Sequence, residues 1–209
     1  MIGKGEASER PGGAELDTGS SEPVQFVSEK LLHSGFRFRV TEVIERTPDG
    51  VDRKREIVRH DGAAVILPVL DDGRIVLVEQ YRTALGRSIL ELPAGGLEPG
   101  EDPAESAERE LVEETGYRAA SIRPLVRFFP APGITDEEMH VFVATGLTPG
   151  APQPDEGEIV ETRLLTLEEI RERMLAGEII DGKTMLSVMY VMMLGLDAGG
   201  SNANEEVGG

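Results

Sequence analysis

Cysteine is absent from the 209 residues, which removes disulfide frameworks, thiolate metal sites and cysteine nucleophiles together. Basic residues are scarce: Lys+Arg 21 stand against Asp+Glu 39, a formal charge of -18. Such a field repels nucleic-acid phosphates and anionic membrane surfaces, so neither is expected as a partner. Long apolar runs are lacking too. The stretch 63–70 falls far short of a membrane-spanning helix, and the first residues lack the apolar run of a signal peptide. The expectation is a cytoplasmic protein. A solvated surface accounts for most of the acidity. The excess of arginine over lysine reflects genome composition as readily as ligand binding.

What is present suffices for one domain and a small appendage, since a chain of this size buries roughly 70% of its unfolded surface. Residues 1–22, rich in Gly, Ser and Glu, and residues 196–209 read as a disordered leader and tail. Residues 23–60 read as an N-terminal β region: Phe36, Phe38 and Val40 alternate with Arg37 and Arg39, a turn follows at Thr47-Pro-Asp-Gly50, and residues 55–58 continue as strand. Residues 61–195 form the main domain. Its apolar runs 63–70 and 75–78 are joined by a hairpin-type turn, Asp71-Asp-Gly73. Further strands are expected at 90–92, 122–129, 139–144 and 162–165.

One helix opens at Asp102 as N-cap with Pro103 at its first position and ends at Gly116. A second, 167–175, has Thr166 as cap and ends near Gly177. A third, 185–194, carries Met185, Val188, Met189 and Met192 at helical spacing, a stripe for core or dimer packing. Helices interspersed among strands argue α+β or a three-layer α/β/α sandwich.

The chemistry concentrates after Gly95. Glu110, Glu113 and Glu114, spaced i, i+3, i+4, fall within about 100° of arc on one helix. Ala104, Ala107 and Leu111 form the adjacent apolar stripe. Like charges at this spacing cost roughly 0.2–0.5 kcal/mol per pair. Their place near the helix C-terminus adds an unfavourable interaction with the macrodipole. Folding gives no reason for the cluster, whereas a hard divalent cation, Mg²⁺ or Mn²⁺, does, with the Ala94 or Gly95 carbonyl nearby as a further oxygen donor. Arg109, four residues before Glu113, can pair with it. Gly95-Gly96 lets a backbone loop approach a ligand closely.

Gly95, Glu101, Arg109, Glu110, Leu111, Glu113, Glu114 and Gly116, with Tyr117 at the last bulky position, satisfy every fixed position of G-x5-E-x7-R-E-U-x-E-E-x-G-U, where U is apolar. On this pattern the chain is identified as a member of the Nudix family. The resemblance implies an α/β/α sandwich around a mixed sheet, and a substrate in which a nucleoside diphosphate is linked to another moiety. Residues 91–95, 79–82 and 132–137, with Pro132 sixteen residues beyond Gly116, resemble the ADP-ribose pyrophosphatase branch, over roughly residues 28–195. One departure is Ala131, where that branch often has serine.

Several roles are implied by the resemblance alone. Ala94 (through its carbonyl), Glu110 and Glu114 would ligate metal, and Glu113 would ligate a further ion or support the site. Glu156 or Glu158 would assist the attacking water. Arg55 and Arg82 would hold the diphosphate, Glu56 would accept from the adenine amino group, and Gly96, Pro132 and Gly133 would lie against substrate. Phe36 is either a stacking surface or core. The N-terminal strands would embrace a second subunit in a homodimer. The expected activity is Mg²⁺-dependent cleavage of ADP-ribose to AMP and ribose 5-phosphate. Hydrolysis of ADP-glucose or GDP-mannose is the alternative, and a non-hydrolysing ADP-ribose sensor is a second class. The intact carboxylates and the lack of a basic helix-turn-helix segment after the box weigh against the sensor.

Overall fold

The computed structural model describes residues 23–153 and 160–194. The expected disordered leader and tail lie outside them, as do Glu156 and Glu158.

The chain begins with an antiparallel sheet, β1 (Gln25–Ser34), β2 (Arg39–Arg46) and β3 (Asp52–Arg59), in that spatial order. β2 and β3 are joined by the expected turn, in which Gly50 N–H donates to Thr47 O at 2.8 Å and Gly50 takes a φ of 80° that its missing Cβ permits. The alternation through Phe36 and Phe38 does not mark a strand. Gly35 N–H donates to Phe38 O at 2.9 Å, closing the β1–β2 connection around both residues, and Phe36 is fully exposed (100%). The strand itself starts at Arg39.

The main body carries two sheets. One is mixed, in the order β7 (Ala94–Gly96), β4 (Ala63–Pro68), β9 (Met139–Thr145) and β8 (Ser121–Phe128), with β4 and β9 parallel. The other is antiparallel, with β5 (Ile75–Arg82) between β10 (Val160–Leu165) and β6 (Arg87–Glu91). The Asp71–Gly73 turn forms, with Gly73 N–H donating to Leu70 O at 2.9 Å and a Val69–Ile75 bridge. Beyond that bridge β4 and β5 part into different sheets rather than remaining a hairpin. All of β4 and the first half of β5 are buried, and strands with apolar residues on both faces are covered from both sides rather than paired with a solvated neighbour.

β4 shows how the layers arise. Ala64 and Ile66 pack under helix α1 (Pro103–Thr115) with Ala107, Leu111 and Phe142. Val65 and Leu67 face the second sheet together with Ile75, Leu77, Val141 and Val143, and Ile170 of α2 (Leu167–Leu175) and Val188 and Val191 of α3 (Gly182–Met193) close that core. The result is the expected α/β/α sandwich, preceded by the antiparallel β region.

Asp102 caps α1 by accepting from Ala104 N–H at 2.8 Å, and Gly116 ends it with a φ of 76°. Thr166 and Glu169 form a capping box on α2. α3 starts at Gly182 behind the cap Asp181, three residues before the expected Met185. Its buried face includes Thr184, Ser187, Val188 and Val191, and Met185 packs against the same core; Met189 and Met192 are exposed, so the expected stripe divides between core and surface.

Candidate active site

β7 crosses the flank of α1 at very close range. A Cβ on Gly95 would stand 1.7 Å from Glu110 Oε1, so glycine is what lets the strand pass with this carboxylate where it stands. One residue earlier, Ala94 N–H donates to Glu114 Oε2 at 3.1 Å, and Glu114 is 3% exposed. Ala94, Glu110 and Glu114 therefore meet on one wall.

Arg109 braces that wall. Its Nη1 donates to Glu110 Oε1 at 2.6 Å and to Glu113 Oε2 at 3.0 Å, and Nε and Nη2 donate to both oxygens of Glu101 at 3.0 and 3.1 Å. Nη2 also reaches Ser106 Oγ at 3.1 Å and Gly96 O at 3.4 Å. The Glu101 carboxylate raises the Arg109 pKa further above its ordinary value, and the guanidinium in turn lowers that of Glu101. The pairing with Glu113 follows from the i, i+4 spacing. The stronger tie to Glu101 spans eight residues across a helix cap, with no helical spacing to announce it.

A cavity of about 560 Å³ opens on this wall, and Arg82, Gln80, His60, Asp61, Arg37 and Phe36 line it together with Ala94, Gly95, Gly96, Glu110 and Glu114. Another cavity, of about 400 Å³ beside Arg87, Arg163 and Arg173, holds no residue of the motif. Phe36 thus stands at the mouth of the cleft and is not core. Arg37, His60, Asp61 and Gln80 were not assigned to the site from the sequence, because only the fold brings β5 and the residues after β3 to this opening.

Arg82 is held from behind. Its Nε and Nη2 donate to the two oxygens of Glu91 at 2.7 and 2.5 Å, which raises its pKa. Glu91 is 1% exposed and also accepts from Lys183 Nζ. Neither Glu91 nor Lys183 was given a role from the sequence; they lie 92 residues apart.

Arg55 and Glu56 are exposed on β3, with Arg55 Nε donating to Glu45 Oε1 at 2.8 Å, and neither lines the cleft of its own chain. Pro132 and Gly133 lie on an exposed turn between β8 and β9, in which Ile134 N–H and Thr135 N–H both donate to Ala131 O at 3.0 Å; they do not line the cleft either.

Among the described residues no three carboxylate or imidazole groups converge on one point; Glu110 and Glu113 turn to Arg109, and Glu114 to Ala94. The donor chemistry nonetheless fits a hard divalent cation. Two carboxylates one helical turn apart face a loop that brings its backbone against them, and every donor is oxygen.

The NUDIX domain model matches residues 58–185. The methanol dehydrogenase activator of Bacillus methanolicus is 45% identical over 148 residues, covering 70% of this chain and 80% of the relative. The ADP-ribose pyrophosphatase of Bacillus subtilis is 43% identical over the same shares. A crystal structure of an ADP compounds hydrolase superposes with a TM-score of 0.74 at 23% identity, covering 84% of this chain and 96% of that one, which shows the shared fold. The chain belongs to the Nudix family. Within it, it falls in the ADP-ribose pyrophosphatase branch and is a hydrolase. Among the described residues no helix is long and apolar enough to cross a membrane.

Proposed function

We propose that the protein hydrolyses the diphosphate of ADP-ribose, giving AMP and ribose 5-phosphate. The observation that carries this is that Ala94, Glu110 and Glu114 line one cleft together with Arg82. An acidic wall and a fixed guanidinium suit an anion that arrives with divalent cations.

Mg²⁺, or Mn²⁺ in its place, would be held by the Ala94 carbonyl, Glu110 and Glu114, with Glu113 as a further ligand or support, and would supply charge neutralisation and an acidified water. The chain's own residues do the rest. Arg109 fixes Glu110 and Glu113, so neither carboxylate must reorganise as the reaction proceeds. Arg82 presents a cation to the diphosphate, where a guanidinium suits phosphate oxygens better than an ammonium. Gly96 lets the loop backbone lie against substrate. A carboxylate oxygen of Glu156 or Glu158 accepts the proton of the water, whose oxygen bonds to one phosphorus as the bridging P–O bond breaks.

The working unit in this reading is a homodimer. Arg55, Glu56 and the Pro132–Gly133 turn lie outside their own cleft, and all ten residues of β1 are exposed, Phe26, Leu31 and Leu32 among them. A second copy covers that strand and receives Arg55 and Glu56, with Glu56 placed to accept from the adenine amino group.

The test is incubation with Mg²⁺ and ADP-ribose, ADP-glucose, GDP-mannose and NADH, with products separated by chromatography. Preferential release of AMP from ADP-ribose, lost in Glu114→Gln, is expected. Equal cleavage of several substrates would remove the substrate assignment and keep the chemistry. Binding of ADP-ribose without cleavage would make the protein a sensor.

A further inference from the structure

Glu91 and Lys183 are buried charges, 1% and 8% exposed, that the reaction above does not use. Their setting makes them poor devices for stability. A buried ion pair gains little over apolar residues of the same volume. Lys183 also stands in the first turn of α3, where the helix dipole disfavours a cation. What the pair does accomplish is geometric. Lys183 Nζ holds Glu91 and, at 3.0 Å, the α3 cap Asp181, while Glu91 holds Nε and Nη2 of Arg82, leaving Nη1 as the donor it does not engage. The next backbone amide, Leu92 N–H, donates at 2.7 Å to Thr184 Oγ1, which itself donates to Asp181 Oδ2 at 2.6 Å. One turn of α3 thus fixes the segment that begins with the partner of Arg82 and ends, two residues after Leu92, at Ala94.

We propose that Lys183 is a positioning residue for substrate: through Glu91 it locks the Arg82 guanidinium into the one orientation that grips a diphosphate. This rests on the reading of Arg82 as a diphosphate ligand. A long arginine free to rotate would lose rotamer entropy on each binding event, and a guanidinium already clamped by the two acceptor oxygens of Glu91 does not.

The experiment is a double-mutant cycle on the full chain, read by calorimetric binding of inorganic pyrophosphate in Mg²⁺ and, separately, by steady-state kinetics with ADP-ribose. Arg82→Ala is expected to weaken pyrophosphate binding by about 10- to 100-fold, as for one charge-assisted contact. Lys183→Met should reproduce most of that loss, raising KM with little change in kcat, and the double variant should bind no worse than Arg82→Ala alone. Lys183→Arg should restore binding. If Lys183→Met does not fold, Glu91→Gln combined with Lys183→Met removes both buried charges at once and should show the same weakened binding. Wild-type affinity in either of these variants, losses that add in the cycle, or a wild type that does not bind pyrophosphate would overturn the proposal. A wild type that binds pyrophosphate but does not cleave ADP-ribose would refute the substrate assignment alone, and the same cycle would still decide the role of Lys183.

Discussion

A methyl group at residue 95 would meet the carboxylate of Glu110 at 1.7 to 2.4 Å, and the carboxylate, as the far end of a flexible side chain, is what yields. Gly95→Ala should therefore fold normally by circular dichroism yet lose activity by about 100-fold or more, the scale expected when a reacting group shifts by about an ångström. Glu101 makes a different prediction. Its hydrogen bonds to Arg109 lower its pKa from the ordinary 4.5. A depressed folded value means that the stabilisation is fully present above about pH 4.5 and is lost as pH falls through the folded value. Urea denaturation should show wild type more stable than Glu101→Gln at pH 6, with the gap narrowing toward pH 3. At this scale the motif carboxylates and Arg109 were legible because their spacing is local. The Arg82–Glu91–Lys183 chain was not, since nothing in sequence links positions 92 residues apart.

The C-terminus of α1 lies directly against the backbone of residues 150–152. A Cβ on Gly116 would lie 2.5 Å from Gly150 O and 2.6 Å from Pro152 N, neither of which can swing away, and its φ of 76° is itself unfavourable for alanine. Gly116→Ala should cost about 2 kcal/mol or more, a melting-temperature loss of about 4–8 °C by calorimetry for a chain of this length. Helix ends were legible because caps are chosen by one or two adjacent residues: Asp102, Pro103, Gly116 and Thr166 all mark the ends they were expected to mark. Strand alternation was a weaker guide. Phe36 and Phe38 keep a two-residue period inside a turn, where it carries no information about faces. The expected stripe on α3 keeps a helical period but divides, with Met185 and Val188 against the core and Met189 and Met192 exposed.

For the whole molecule, light scattering at micromolar concentration should give twice 22.6 kDa, about 45 kDa. Phe26→Asp, on the exposed β1, should halve that mass and reduce activity with it, because Arg55 and Glu56 would then reach no cleft. The partner of β4 is the feature that sequence conceals at this scale. Its turn to β5 is plain, but its parallel neighbour β9 lies more than seventy residues downstream, and both faces of β4 are apolar, so pattern alone cannot say which strand it will join.

The end of β3 is stitched to the turn that carries Pro132 and Gly133: Val58 N–H donates to Ile134 O at 2.8 Å, Asp136 N–H returns to Val58 O at 3.3 Å, and Arg59 Nη1 reaches Asp136 at 3.0 Å. Arg55 and the turn are thus two ends of one lever. Whatever presses on the N-terminal sheet from outside is transmitted across a few peptide units to the turn. The amides of Val58 and Asp136 should accordingly open to solvent exchange together, as a single unit.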